Sequence, residues 1–374
     1  MNTKIIKLFT LSVIGFFPFV IQAQFNQVSE VLKGGIDDAQ KLSTEYMRPF
    51  GKGLAINLSN GWYNTAKPHS FPNPAKMSFF LGLDITVTTS MLAVPEIDKT
   101  YDASKLGLKT LVPTGNNTIG QTVSGTDKIG PELGFGKLPN GAYMNKFNMP
   151  KGTGFAYVPG FMVQAGIGLP FSTELDFRFI PTVSAPMVDF KVGALGFGLK
   201  HSIKQWIPVL SMMPFFDISA QAGYTSLKTS LTGSIMAFDP ASFNNGSSID
   251  KTQFNNQGIE LNASSFTGNI VVSTDIPIFN VYAGVGFYTA SSTFKLTGNY
   301  AIPEAPTAAQ LSANQTKPNA TVVSNPINLN FDGNGGMRAN IGIRLKLLVF
   351  AINGDIAFAG GNTIYTAGFG INFH

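Results

Sequence analysis

Cysteine is absent from all 374 residues, and Asp, Glu, Lys and Arg together make up only 13% of them. Without cysteine the chain has no disulfide support, so its fold must close by backbone pairing and packing alone. A charged fraction about half that of ordinary soluble domains argues against a surface covered entirely by water. After residue 23 no apolar run approaches the ~20 residues needed to cross a bilayer as a helix. Histidine is scarce too: His69, His201 and His374 are the full set, and none has an acidic or nucleophilic neighbour at a recognisable catalytic spacing. The net charge of +5 is dispersed, with no Lys/Arg cluster interleaved with aromatics, which leaves no nucleic-acid interface.

What is abundant points one way. Hydrophobic residues reach 44%, with 32 Phe and 40 Gly. A chain this apolar without spanning helices suits a barrel in which every second strand residue meets lipid. The segment Thr173-Glu174-Leu175-Asp176-Phe177-Arg178-Phe179-Ile180 shows the pattern most clearly. Side chains alternate between the two faces of a strand, so one face here carries Leu175, Phe177 and Phe179 and the other Glu174, Asp176 and Arg178. A soluble sandwich could use one such strand; recurrence along an exported chain favours the barrel.

Residues 1–23 read as a cleavable export signal: Lys4 and Lys7, a mostly apolar stretch from Leu8 to Ile21, then Ala23 at the cleavage edge. Beyond it, Val28, Val31, Leu32, Ile36, Ala39 and Leu42 recur at helical spacing and predict an amphipathic helix over about 27–46. Pro49 and Gly51 are expected to stop it. This helix is either packing or a plug. Strands are expected at 53–62, 77–89, 155–169, 173–180, 188–199, 216–228, 266–273 and 279–297, and three more lie between 338 and 373. Turns near 170, 276 and 346 are short, whereas 95–152, 231–263 and 299–326 are long and polar. That alternation is the pattern of bacterial barrels. Eleven strands would break the even parity of such barrels, so either one more lies in 95–152 or the division of the N-terminal region is wrong; the expectation is about twelve, within ten to fourteen. The division that follows is a signal (1–23), an N-terminal helix or plug segment (24–52) and an all-β transmembrane antiparallel barrel (53–374).

The run Tyr46-Met47-Arg48-Pro49-Phe50-Gly51, continuing to Gly61-Trp62-Tyr63-Asn64-Thr65-Ala66-Lys67, resembles the start of an uncharacterised family of Gram-negative outer-membrane barrels. So does Leu199-Lys200-His201-Ser202-Ile203-Lys204-Gln205-Trp206-Ile207-Pro208, ahead of Met213-Pro214-Phe215-Phe216. More loosely, an N-terminal helix before an aromatic-rich barrel is similar to the long-chain fatty-acid outer-membrane transporters. The Asn-Pro-Ala signature of that class is matched only by the tripeptide Asn73-Pro74-Ala75. The resemblance implies an outer-membrane location, assembly by the barrel-assembly machinery, and a hydrophobic small molecule as candidate cargo.

Candidate functional residues fall into three sets. Glu174, Asp176, Arg178, Asp189, Lys191, Asp217, Arg338, Arg344, Lys346 and Asp355 are expected to line the lumen, either to fix register and fill space or to border a path. Val28, Val31, Leu32, Ile36 and Leu42 would form the apolar face of the plug helix. Trp62, Trp206, Tyr224 and Tyr365 are interface aromatics, with Trp206 on a short rim helix over 200–213 whose polar edge holds Lys200 and Lys204. Tyr157, Phe161, Tyr282, Phe287, Tyr288 and Phe369 are read as facing lipid as well. Asp332-Gly333-Asn334-Gly335-Gly336 reads as a turn or bulge. No metal, cofactor or enzymatic activity is expected. Passive uptake of a small hydrophobic solute is the leading reading, and a non-transporting barrel acting through its outer loops is the alternative.

Overall fold

The computed structural model describes residues 31–69, 82–185, 189–233 and 236–373. The expected signal and Val28 lie outside the described residues. Ten strands form one closed barrel: β1 (Leu83–Ala93), β2 (Tyr157–Leu169), β3 (Thr173–Ala185), β4 (Asp189–Ser202), β5 (Phe216–Thr232), β6 (Gly258–Thr274), β7 (Phe279–Thr297), β8 (Asn328–Leu347), β9 (Phe350–Ala359) and β10 (Asn362–Phe373). Each pairs antiparallel with its neighbour in sequence, and β1 closes the ring against β10 from Leu83↔Phe373 to Ala93↔Thr363. The expectation of about twelve strands is thus corrected to ten. The parity failed because one strand too many was assigned, not one too few: 53–62 contributes no strand. Segment 95–152 hides no barrel strand either; it holds the short pair 100–102 with 119–121 and a three-stranded sheet of 111–113, 132–137 and 143–148.

Loop lengths separate the two ends as expected. At one end the connections are turns, apart from 203–215, and in the three-residue turn 170–172 Phe171 (φ 61°) and Ser172 (φ 50°) take left-handed conformations. At the other end the long connections after β1, β5 and β7 fold into a cap. The glycine-rich stretch at 332–336 lies within β8, beside a register shift against β7 between Ala290 and Ser292, and so takes the bulge form of the expectation.

Polarity is inverted relative to a water-soluble protein. Along β1, Asp84, Thr86, Thr88 and Ser90 are buried while Ile85 and Met91 are exposed. Along β9, Asn353 and Asp355 are buried while Ile352, Ile356 and Phe358 are exposed. An apolar outer wall over inward-facing polar residues on these strands is the arrangement that hydrocarbon outside would select. Among the described residues no helix is long and apolar enough to cross a membrane, which says nothing of spanning by strands.

The lumen is filled by the chain's own N-terminal segment. A 3-10 turn (Leu32–Gly34) breaks at Gly35, whose φ of 86° suits glycine, before α1 (Ile36–Leu58) begins. Val31, Leu32 and Leu42 are buried, but Val31 and Leu32 precede the helix and Ile36 is partly exposed. The expected stop at Pro49 is overturned, since the helix runs through it. A proline inside a helix costs about 3 kcal/mol, and packing outweighs that here. Gly51 seats against Phe331, and Gly53 against Val158 and Leu92, so closely that a Cβ on either glycine would collide with the wall. After Leu58 the chain runs through a turn and a series of bends as far as His69, at the short-turn end where β1 begins. The segment therefore threads the barrel from the cap to the turns.

Candidate functional site: a threaded lumen with an open seam

The cap holds the start of α1. Asp38 accepts the backbone N–H groups of Lys109, Thr110 and Leu111 at 2.7–3.0 Å, together with the Thr110 hydroxyl at 2.9 Å. Leu42, Tyr46, Leu111, Leu133 and Phe135 share one apolar core with the helix. Below the cap the wall around α1 remains apolar, with Leu92, Val158, Phe190, Leu261, Phe294 and Phe331 all buried and facing it.

At the end of α1 the chemistry changes. The last turn of the helix carries no basic residue, and the wall supplies the missing positive charge. Arg178 of β3 donates to the carbonyls of Leu58 (2.9 Å) and Asn60 (2.6 Å), and its guanidinium lies 3.8 Å from the centre of the Trp62 ring. From the other side Arg338 of β8 donates to the Ser59 carbonyl and, at 2.6 Å, to the Asn60 side chain. Guanidinium groups at a helix C-terminus meet both its unpaired carbonyls and its dipole. The two arginines clamp the plug from opposing strands.

Farther down, Tyr63 donates to Asn340 (2.6 Å) and Asn64 accepts from Arg344 (2.8 Å). At the base His69 meets Glu174 through both its backbone N–H (2.8 Å) and Nδ1 (2.7 Å). Lys200 reaches the other oxygen of Glu174 at 2.8 Å, and Arg344 lies 3.7 Å from Asp84. The base is an ionic seal built from β1, β3, β4 and β8 around the threaded chain. Its chemistry is that of a latch: His69 has acids beside it, while the nearby Thr86 hydroxyl is spent on Asp84 (2.7 Å). Among the described residues no group of three or more His, Asp or Glu is arranged to hold a metal ion.

Of the ten expected lumen residues, Glu174, Asp176, Arg178, Asp217, Arg338, Arg344 and Asp355 are buried on the inner face. Lys346 is half-buried near the turns, and the side chain of Asp189 lies outside the described residues. Lys191 is corrected: it is exposed, because the register of β4 turns Phe190, Val192 and Ala194 inward. Trp62 is no interface aromatic. It is 1% exposed inside the lumen, and Gly198 and Gly223 make room for it, since a Cβ on either would stand 2.6 or 2.4 Å from its ring. Tyr282 and Tyr288 face inward too, against expectation, whereas Tyr224 and Tyr365 are exposed on the outer wall. Trp206 is 68% exposed beside the turns and donates to His201 at 2.9 Å, but the expected rim helix shrinks to a 3-10 turn and one helical turn. Lys200 belongs to β4, not to that helix. Asp84, Lys200 and His69 were missed as lumen residues. Alternation in Leu83-Asp84-Ile85-Thr86-Val87-Thr88 carried the signal for the first.

One seam of the wall is open. β2 and β3 pair only from Gln164↔Arg178 to Leu169↔Thr173. Continuing that register would set Pro159 against Val183 and Phe161 against Pro181, and a proline on each edge lacks the N–H that a ladder needs. Above Gln164, β2 stays paired to β1 and β3 to β4, but not to each other. Behind the seam lies a cavity of about 80 Å³ bordered by Leu54, Phe161, Met162, Ile180, Phe190 and Leu227. Thr88 and Thr229 also line it.

A ten-stranded antiparallel barrel with an apolar exterior, a threaded lumen and an unpaired seam defines the class. The chain belongs to a family described as "Family of unknown function (DUF6588)", whose model matches residues 1–373. No curated protein matches it. Among solved structures it is similar to the attachment invasion locus protein Ail of Yersinia pestis, at 6% identity over 77% of this chain and 95% of that one, with a TM-score of 0.21. It is also similar to the toluene transporter TbuX of Ralstonia pickettii, at 7% identity over 86% and 98% with a TM-score of 0.22. The translocator domain of the autotransporter NalP from Neisseria meningitidis gives 8% identity, 80% and 91% coverage and a TM-score of 0.28. Overlaps this low carry no geometry across, and the fold assignment rests on the closed strand pairing itself.

Proposed function

We propose that this is an outer-membrane barrel for passive uptake of a small hydrophobic solute, which leaves sideways through the β2–β3 seam. The observation that carries the reading is the seam with an apolar cavity directly behind it. The ionic latch around His69 and Glu174 closes the axial route at the short-turn end, so a solute that enters has the wall as its exit. Hydrocarbon beyond the seam favours an apolar solute, because transfer from water is worth about 25 cal/mol per Å².

The test uses whole cells with an intact outer leaflet and a naphthylamine dye that fluoresces only in apolar surroundings. Cells carrying the protein are expected to take up dye several-fold faster than cells without it. Leu227→Trp, which fills the cavity, is expected to return uptake to background. Equal rates with and without the folded barrel would end the uptake reading. The same latch supports a second reading, a sealed barrel that works through its folded cap, and that is the reading left if dye uptake is unchanged.

A further inference from the structure

A second, polar hollow of about 210 Å³ lies on the neighbouring face of α1. Lys52, Asp98, Tyr288 and Asn362 border it, and it reaches the surface at exposed Gly335 and Gly360, above the short β9–β10 hairpin. Gly53, Ile56 and Leu92 line this vestibule, whereas their helix neighbours Leu54 and Asn57, and Ser90, the next inward-facing residue of β1 toward the turns, line the apolar cavity. Between the two stands Val158, fully buried and lining neither. A Cβ placed on Gly53 would lie 2.7 Å from Val158 Cγ2 and 3.4 Å from Leu92 Cδ2. Gly53 packed on Val158 and Leu92 therefore stands between the hollow open to solution and the cavity behind the seam, with Asn57 beside it donating to the Val158 carbonyl (3.0 Å) and accepting from the Ser90 hydroxyl (2.8 Å).

The helix is weakest where it makes this contact. Pro49 has no N–H to give to the carbonyl one turn back, and Gly51 and Gly53 each have helix propensity about 1 kcal/mol worse than alanine. Resting on the uptake reading, we propose that the Gly53–Val158–Leu92 contact is the gate between vestibule and cavity, opened when α1 gives way across residues 49–53. Val158 then sets the size of solute admitted.

Because the chain has no cysteine, a Gly53→Cys/Val158→Cys pair tests this in the full-length protein without background thiols. A Cβ on Gly53 lies 3.2 Å from Val158 Cβ, close enough to the ~3.5–4.5 Å of a disulfide to bridge after a small shift. Oxidation is expected to lower dye uptake at least tenfold and reduction to restore it. A second variant, Val158→Ala, removes two methyl groups from the contact and is expected to raise the rate and admit a bulkier dye, whether or not the double-cysteine protein assembles. Full uptake by the oxidised pair, or an unchanged rate and size limit in Val158→Ala, overturns the gate while wild-type uptake stands. Absence of uptake by the folded wild type overturns the uptake reading and the gate with it.

Discussion

The two halves of the lumen solve the same problem, holding a threaded chain, with opposite chemistry. Toward the cap the plug is a helix whose backbone is already satisfied internally, so the wall needs only shape: it offers Phe294, Phe331 and Leu261, and the helix sets Gly51 and Gly53 closely against it. Toward the turns the plug is irregular, its N–H and C=O groups need partners, and the wall supplies charge and amides instead. The difference shows that wall chemistry follows the plug's secondary structure. It also places the weak points: a greasy contact can part and close again, whereas an ionic network resists stepwise opening because each broken pair strands a buried charge.

The largest way to break this contrast is to unpair the base. Glu174→Ala leaves Lys200 and His69 without their carboxylate, and the expected loss is about 3–5 kcal/mol of barrel stability, read from thermal unfolding in detergent. Replacing both partners, as Glu174→Met/Lys200→Met, is expected to recover most of the loss, since the buried charge disappears with its mate. Equal destabilisation by the single and the double variants would mean that shape, not charge, holds the lower half.

The cap offers the next test, because there the helix start is held by one carboxylate. Burial pushes the Asp38 carboxyl up, but the N–H groups of Lys109, Leu111 and Thr110 and the Thr110 hydroxyl outweigh that and hold it below its ordinary value. A depressed folded value means the stabilisation is present above the ordinary carboxylate range near pH ~4 and is lost as pH falls through the lowered value. Asp38→Asn is expected to weaken cap docking by about 1.5–3 kcal/mol at neutral pH. Hydrogen-exchange protection of the amides of residues 109–111 should drop accordingly, with the wild type following only in acid. If the barrel itself melts earlier in Asp38→Asn, the cap and the lumen are one cooperative unit and the division drawn here is too sharp.

Most of the wall was legible from alternation, because period two with apolar residues on one face survives in any sequence that builds a lipid-facing strand. Glu174, Asp176, Arg178, Arg338, Arg344 and Asp355 were placed on the inner face for that reason, and they are buried there. The plug was legible only in part. Pro49 and Gly51 read locally as a stop, yet these residues let a helix lie flush against Phe331, a partner 280 residues away that local rules do not see. Trp62 looked like a belt aromatic because its type favours interfaces; only the tertiary path of 59–69 carries it inside. Lys191 was placed inward by its charge, although the parity of its own strand points outward. The prolines of the seam, Pro159 and Pro181, stand in the sequence, but their effect depends on a cross-strand register that no single strand contains.

The smallest expected effect sharpens the boundary between the halves. Trp62 sits where the helix has just ended, with Arg178 over its ring and Gly223 close against the carbons where its two rings fuse. Gly223→Ala drives a methyl group to 2.4 Å from the ring, and overpacking of this kind costs about 1–3 kcal/mol. Trp62→Phe alone gives up part of the stacking on Arg178 but opens room beside Gly223, so the two changes together should cost less than their sum. That non-additivity, measured by unfolding the four proteins of the cycle, would show that the aromatic is pinned between the clamp and the wall. Strict additivity would show instead that the ring has space to move, and the apolar half would then extend one layer farther toward the turns.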